Sequence, residues 1–260
     1  MSYKAFSGTG TLYLAPVNSS GVKTGNYRQV GDAYPLSVQV ATKKTEVKSR
    51  MVERAGQVIA SKVEIDTVTG SLTLREWNAA NLAWALSGTA TEQTTAGATV
   101  TDEAITIGKP GEWKQLGGST PRRNVSAVAV NNAATPSTTY SATTDYEVDA
   151  VTGLITARAG GLLADGTVAC VVDYTYAALS DYRITIGDQV QIRVAILGHL
   201  YDEYRGEHYT IELDSVVMSA SQEINFISEE GSEGEPLQFE LTLETISGAS
   251  SPGRIDGVPM

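Results

Sequence analysis

The side chains best suited to chemistry in this 260-residue chain gather in GHLYDEYRGEHY, where His199, Asp202, Glu203, Glu207 and His208 place imidazoles and carboxylates within ten residues. Such donors hold zinc when their spacing suits a tetrahedral set, and this spacing matches no zinc motif. The two histidines fall on opposite arms of a predicted hairpin turning near Arg205 and Gly206, so they can approach one another. Tyr201, Tyr204 and Tyr209 beside them read as an ordinary half-exposed sheet face. A second acidic group, Asp145, Glu147 and Asp149 in DYEVDAVTG, alternates like a calcium loop. Ala150 stands where that loop needs glycine and the distal glutamate is missing, so strand alternation accounts for the acids better. A third run, EEGSEGE from Glu229 to Glu235, reads as a solvated loop. No Ser, His and Asp set or nucleophile elbow is present in a chain with two histidines, and GTGTLYL and GEWKQLGG lack the patterns of phosphate-cradling glycine loops. No catalytic residue, cofactor or metal is therefore assigned, and the chain is expected not to be an enzyme.

A net charge of −11 argues against gripping nucleic acid, which requires clustered Lys and Arg. The cations that do cluster, Lys43, Lys44, Lys48, Arg50 and Arg54, are interleaved with Glu46 and Glu53 and make a mixed surface. The single Cys170 lies in TVACVVDYTY as a small buried residue, so no disulfide forms within the chain. The N-terminus lacks a charged and then apolar leader, and no stretch approaches the roughly 18 apolar residues of a membrane span. The expectation is a soluble protein of a reducing compartment, without a membrane anchor.

The positioning elements are mostly strands. Twenty-five glycines, many Thr, Ser and Val and few candidate helices favour a mainly β fold of two packed antiparallel sheets, sandwich-like or barrel-like, with one short flanking helix. Thr9 to Val17 starts the first strand, and a strand from Tyr34 continues into the charged segment 41–49, whose far end must project from the core. RMVERAGQ, residues 50–57, reads as an extended loop open to a partner. Val63, Ile65, Leu72 and Leu74 alternate with polar residues, as in a strand with one face on a core. After Trp77 the alternation fails, and residues 79–86 form an apolar helical run of about three turns between an N-cap at Asn78 and a stop at Gly88. Trp77, Leu82, Trp84 and Leu86 are the expected anchors of that helix in the core. Soft, turn-prone junctions bound a small inserted β domain over 97–178 within a discontinuous domain of 1–96 and 179–248, leaving a loose tail over 249–260. Within the insertion, residues 146–161 form a hairpin turning at 149–153, and Trp113 is expected to staple the insertion to the rest.

GTLYLAPV, the charged arm and loop from Lys43 to Gln57, SLTLREWNAANLAWALSG and the closing GEPLQFELTLETI together resemble the major tail protein, the tail-tube subunit, of long-tailed bacteriophages. The resemblance covers roughly residues 1–88 and 182–247. TTDYEVDAVTGLITARAGG with DGTVACVVDYTY is similar to a small β module of phage structural proteins. The resemblance implies self-assembly into stacked, hexameric rings that form a hollow tube for DNA ejection. It also implies assembly in the host cytoplasm, a place in the virion tail, and contact with tape-measure, tail-tip and terminator proteins. DNA would pass through the lumen without being held, as an acidic wall repels phosphate; the 229–235 run would be solvated, lumenal, or paired with the basic arm of a neighbour. Lys44, Glu46, Lys48, Arg50, Met51, Glu53, Arg54 and Gln57 are the expected contacts between subunits or rings. The alternatives are a capsid or tail decoration or receptor-binding β module, marked by exposed aromatics on the insertion, and a β-barrel enzyme using His199 to His208.

Overall fold

The computed structural model describes residues 8–227 and 235–257, so all but the last residue of the 229–235 acidic run lies outside them. The chain is mainly β with several antiparallel sheets, as its composition predicts. In order, the elements are β1 (Gly8–Pro16), β2 (Arg28–Gln29), β3 (Ala33–Lys48), β4 (Val58–Leu74), α1 (Ala79–Ala85) and β5 (Ala90–Thr95). There follow β6 (Ala98–Thr106), β7 (Lys114–Gln115), β8 (Val125–Asn132), β9 (Thr139–Tyr140), β10 (Tyr146–Asp149), β11 (Leu154–Ala157) and β12 (Ala169–Tyr176). The chain closes with β13 (Leu179–Ile184), β14 (Ile192–Asp202), β15 (Glu207–Ala220), β16 (Leu237–Leu243) and β17 (Gly253–Asp256). Two compact units result: residues 1–91 with 183–260, and residues 92–182. β5 and β13 pair as a ribbon that carries the chain out and back, and the expected junctions at 97 and 178 fall just inside it.

The first unit is built on one sheet of order β2-β1-β14-β15-β16-β4-β3, with β17 also on β15. Register explains its core. Leu14, Ile196 and Leu213 lie in one row across β1, β14 and β15, and Phe239 lies opposite Leu72 across β16 and β4, so one face of the sheet is continuously apolar. These residues form a single buried cluster, and each large side chain contributes on the order of 1.5–3 kcal/mol. Gly198 sits in the row between Leu12 and Ile211, where a β carbon would come within 2.6 Å of the Ile211 side chain. Its missing side chain is what lets these neighbours meet.

Helix α1 packs on β15 and β16. Asn78 caps its start by accepting from the Asn81 amide at 2.9 Å, and the helix then ends after seven residues rather than three turns. The stop comes one residue early because Ser87, not Gly88, adopts the left-handed conformation (φ 49°). The Ser87 and Gly88 amides then close on the Trp84 and Ala83 carbonyls. The residues of α1 that become buried are Asn81, Ala83 and Ala85, while Leu82 and Trp84 pack at the margin of the core and Leu86 is half-buried. Trp77 is a correction to the expected anchors: it precedes the helix and is 42% exposed. Its ring meets Phe226 edge-on at 6.2 Å and its indole N–H donates to the Glu235 carbonyl. A seven-residue spacing places two side chains on one helical face only if both are in the helix, and Trp77 is not.

Asn81 is the polar centre beneath α1. Its amide nitrogen donates to the Val30 and Glu76 carbonyls, both at 2.9 Å, and its oxygen accepts from Arg28 at 2.8 Å. Arg28 also lies over the Trp84 ring at 4.5 Å, and burial lowers its pKa while Glu76 opposes that shift. The tail is a second correction. β15 is fourteen residues long, but β16 covers only Val216–Ala220 of it, and β17 occupies Thr210–Leu213 alongside. The uncovered backbone groups of β15 recruit the segment that sequence composition marks as loose.

The second unit packs a four-stranded sheet, β6-β12-β8-β9, and a three-stranded sheet, β10-β11-β7, around their own buried cluster. Cys170 is buried and free within it, and burial raises its pKa. Residues 146–157 form the expected hairpin, from Tyr146 opposite Ala157 to Asp149 opposite Leu154. Polar side chains brace the loops. The Glu103 carboxylate accepts from the Gly117 amide at 2.9 Å and from the Tyr174 hydroxyl at 2.6 Å, and burial with this contact pushes the phenol well above its usual range. Asp145 is buried and accepts from the amides of Ser141 and Leu162, both at 2.9 Å, which holds its carboxyl below the usual range, the Leu162 bond first.

Two outcomes follow for stability. Asn81→Ala strands the buried Val30 carbonyl and removes the partner of the part-buried Glu76 carbonyl, and should cost about 1–3 kcal/mol, read as a lower urea midpoint. For Asp145 the folded pKa lies below the unfolded one, so its contribution is complete above the unfolded value of about 3.9 and is lost as pH falls through the folded value. Asp145→Ala should therefore cost about 1–3 kcal/mol at pH 7, with the gap to the parent closing below about pH 4 in urea melts at each pH.

Candidate assembly interface

β3 and β4 outrun the sheet they belong to. They pair from Ala33 opposite Leu74 to Lys48 opposite Val58, with register shifts at three places. The inner end is core: Leu72 and Leu74 are fully buried, and Leu36 and Val68 pack against the same cluster. Gly70 marks the exit, because a β carbon there would collide with the Ser37 carbonyl across the ladder. Beyond it, residues 42–48 and 58–67 are exposed on both strands, a two-stranded arm on the order of 25 Å long at about 3.3 Å per residue.

The register sorts the arm into two faces. One carries Val38, Val40, Thr42, Lys44 and Glu46 on β3 against Gly70, Val68, Ile65, Val63 and Ser61 on β4. Its inner half is thus aliphatic, with Val63 60% and Ile65 70% exposed, and its outer half bears the Lys44–Glu46 ion pair at 2.6 Å. The other face carries Lys43, Thr45, Lys62 and Glu64, with Lys62 and Glu64 paired. The tip is closed by the Ser49 amide on the Gln57 carbonyl at 2.7 Å and the Gly56 amide on the Ser49 carbonyl at 3.0 Å. Between them, Val52–Arg54 form a single 3₁₀ turn where the sequence suggests an extended loop. That turn projects Val52, 97% exposed, beside the exposed Met51, Val58 and Ile59.

All eight expected contact residues fall on this arm. Lys44, Glu46 and Lys48 share a face of β3, Arg50 and Met51 lead into the tip, Glu53 and Arg54 lie in the 3₁₀ turn, and Gln57 closes it. Sequence reasoning missed the aliphatic half. It assigned Val63 and Ile65 to a core, but the structure leaves both uncovered, since alternation says which residues share a face and not what lies against it. The signal that could have found them is length: strands of 16 and 17 residues exceed the usual 3–10 of a globular sheet.

The chemistry-bearing groups are spent elsewhere. His199 and His208 do meet, stacked at 5.0 Å between centroids with Tyr201 4.8 Å from His208, on the outer face of β14 and β15. Asp202 turns away from them, accepting from the Tyr204 amide at 3.0 Å and pairing with Arg205 at 3.5 Å. Asp145 braces its loops, Glu147 pairs with Arg158 at 3.4 Å, and Asp149 caps its own turn through Thr152 at 2.6 Å. Among the described residues, no group of three or more His, Cys, Asp or Glu is arranged to hold a metal.

An arm whose outer half touches no core should be separable from folding. Deleting residues 44–57 should leave far-UV circular dichroism of a β protein and a urea midpoint close to the parent's, while a collapsed midpoint would make the arm part of the core.

No curated protein matches the chain. Residues 5–251 match a family described as protein of unknown function UCP028589. That span takes in the whole arm, all of the second unit and the first unit as far as residue 251, short of β17, and the chain belongs to this uncharacterised family.

Proposed function

We propose that the chain is a structural, non-enzymatic subunit that assembles with copies of itself into stacked rings forming the hollow tail tube of a long-tailed bacteriophage. The observation that carries this reading is the arm, a long hairpin bearing an uncovered aliphatic face and, at its tip, exposed Met51 and Val52, with no partner among the described residues of its unit. Contiguous exposed apolar surface of this kind marks an interaction site. A second copy is the fitting occupant. The arm interleaves Lys44, Lys48, Arg50 and Arg54 with Glu46 and Glu53, a mixture that can meet itself in a shifted register, whereas an acidic or basic partner would need one sign. Among the described residues β3 is also a sheet edge sixteen residues long, and a protein that leaves such an edge open covers it by pairing or burial in an assembly.

The acid excess suits a lumen through which DNA passes without sticking. In this reading the subunit works in the virion tail after assembly in the host cytoplasm, and tape-measure, tail-tip and terminator proteins are its further partners. The second unit, inserted on its ribbon, is then an ornament of the tube.

Negative-stain electron microscopy across a concentration series tests the reading. Rings or tubes are expected, and Val63→Asp with Ile65→Asp should give folded monomers because each buries an unpaired carboxylate in the contact. Monomers at every concentration of the parent chain, or unaltered assembly of the double variant, would overturn it. Replacing residues 97–178 with a short linker should leave assembly intact in the same micrographs.

A further inference from the structure

We infer that the second unit carries a binding groove for a neutral saccharide, centred on Trp113. The groove, of about 640 Å³, is lined by Trp113, Thr143, Thr144, Glu147, Thr156 and Arg158 among small residues. Register brings three of these into one row. Glu147 on β10 lies opposite Thr156 on β11, and Ile155 lies opposite Lys114 on β7, which puts the preceding residue, Trp113, beside Thr156. Trp113 is 46% exposed, so its ring is not core, and it stands in the groove of its own unit.

The lining has the chemistry of carbohydrate recognition. A half-exposed indole offers a flat apolar surface on which the C–H face of a pyranose can stack. Beside it, Glu147 and Arg158 pair at 3.4 Å, and the Arg158 Nε also donates to the Tyr146 carbonyl at 3.2 Å. A guanidinium has five N–H donors and a carboxylate about four acceptor positions, more than these contacts consume, so the pair can serve vicinal hydroxyls. Thr143 and Thr144 add hydroxyls at the rim. The ionic groups of the lining cancel, which selects a neutral glycan over a sulfated one, and no excess of positive charge is present for nucleic acid.

The walls are held in place before any ligand arrives. Asp145 accepts from Ser141 and Leu162, and its carbonyl accepts from the Arg158 amide at 2.9 Å, which locks together the two segments carrying the threonines and the arginine. Fixing these groups in advance reduces the ordering cost of binding. The inference does not depend on the tube reading, since every residue involved lies in the second unit.

Saturation-transfer NMR and tryptophan fluorescence on the full chain, with maltohexaose, cellohexaose, chitohexaose and a galactohexaose as probes, test it. At least one should bind with Kd on the order of 1 mM or tighter. Trp113→Ala should weaken that binding at least about tenfold, and the isosteric Glu147→Gln by roughly three- to tenfold, with circular dichroism unchanged. No binding of any probe at about 10 mM, equal binding by Trp113→Ala, or preference for heparin over all four would overturn it.

Discussion

Backbone hydrogen bonding between β3 and β4 is the constraint from which the rest of this structure can be read. A strand leaving a core must still satisfy its amides and carbonyls, and two strands leaving together satisfy each other. The ladder from Ala33/Leu74 to Lys48/Val58 does this, so beyond its root the arm extends with residues 42–48 and 58–67 all exposed. What the ladder does not supply is cover for Val38, Val40, Val63 and Ile65. Leaving them in water forfeits about 25 cal/mol for each Å² of apolar surface that could have been buried. A monomer gains nothing from that arrangement, whereas an assembly does, which is the physical basis of the subunit reading.

The root of the arm shows how such an extension is anchored. Leu72, Leu74, Phe239 and Leu237 pack at the base of β4, and α1 follows within a few residues. There Asn81 ties the helix to the carbonyls of Val30 and Glu76 on either side of the β3–β4 hairpin. Arg28 joins Asn81 to the Trp84 ring. A short helix has little stability of its own. Its place here rests on a saturated polar centre, and that centre holds the two ends of the hairpin at the sheet.

The second unit uses the same device differently. Its loops are fastened by Glu103 and Asp145, acids that accept backbone amides, and by the Asp149 cap. The result is a small module with its own core and a rim of hydrogen-bonded loops. An array of oppositely charged, aromatic and hydroxyl side chains is held on that rim without contributing to the core, a placement that stability alone does not require. The imidazole pair on β14 and β15 is a comparable surface feature whose neighbour Asp202 is committed to its own turn.

By itself the sequence determined the mainly β class, the hairpin turns, the N-cap at Asn78 and the buried state of Cys170, because each follows from local alternation, turn chemistry or residue size. It also made the projecting, mixed-charge segment from Lys43 to Gln57 legible, since no core accepts that many ions. Only the tertiary structure decided what covers a face. Val63 and Ile65 have the pattern of core residues and lie in water; Trp77 has the size of an anchor and lies at the surface; the tail around Arg254 has the composition of a loose end and completes the edge of β15. Alternation, volume and turn composition are properties of a few neighbouring residues. Burial and edge pairing depend on how far each strand extends past the next, and that relation exists only once the sheet has formed.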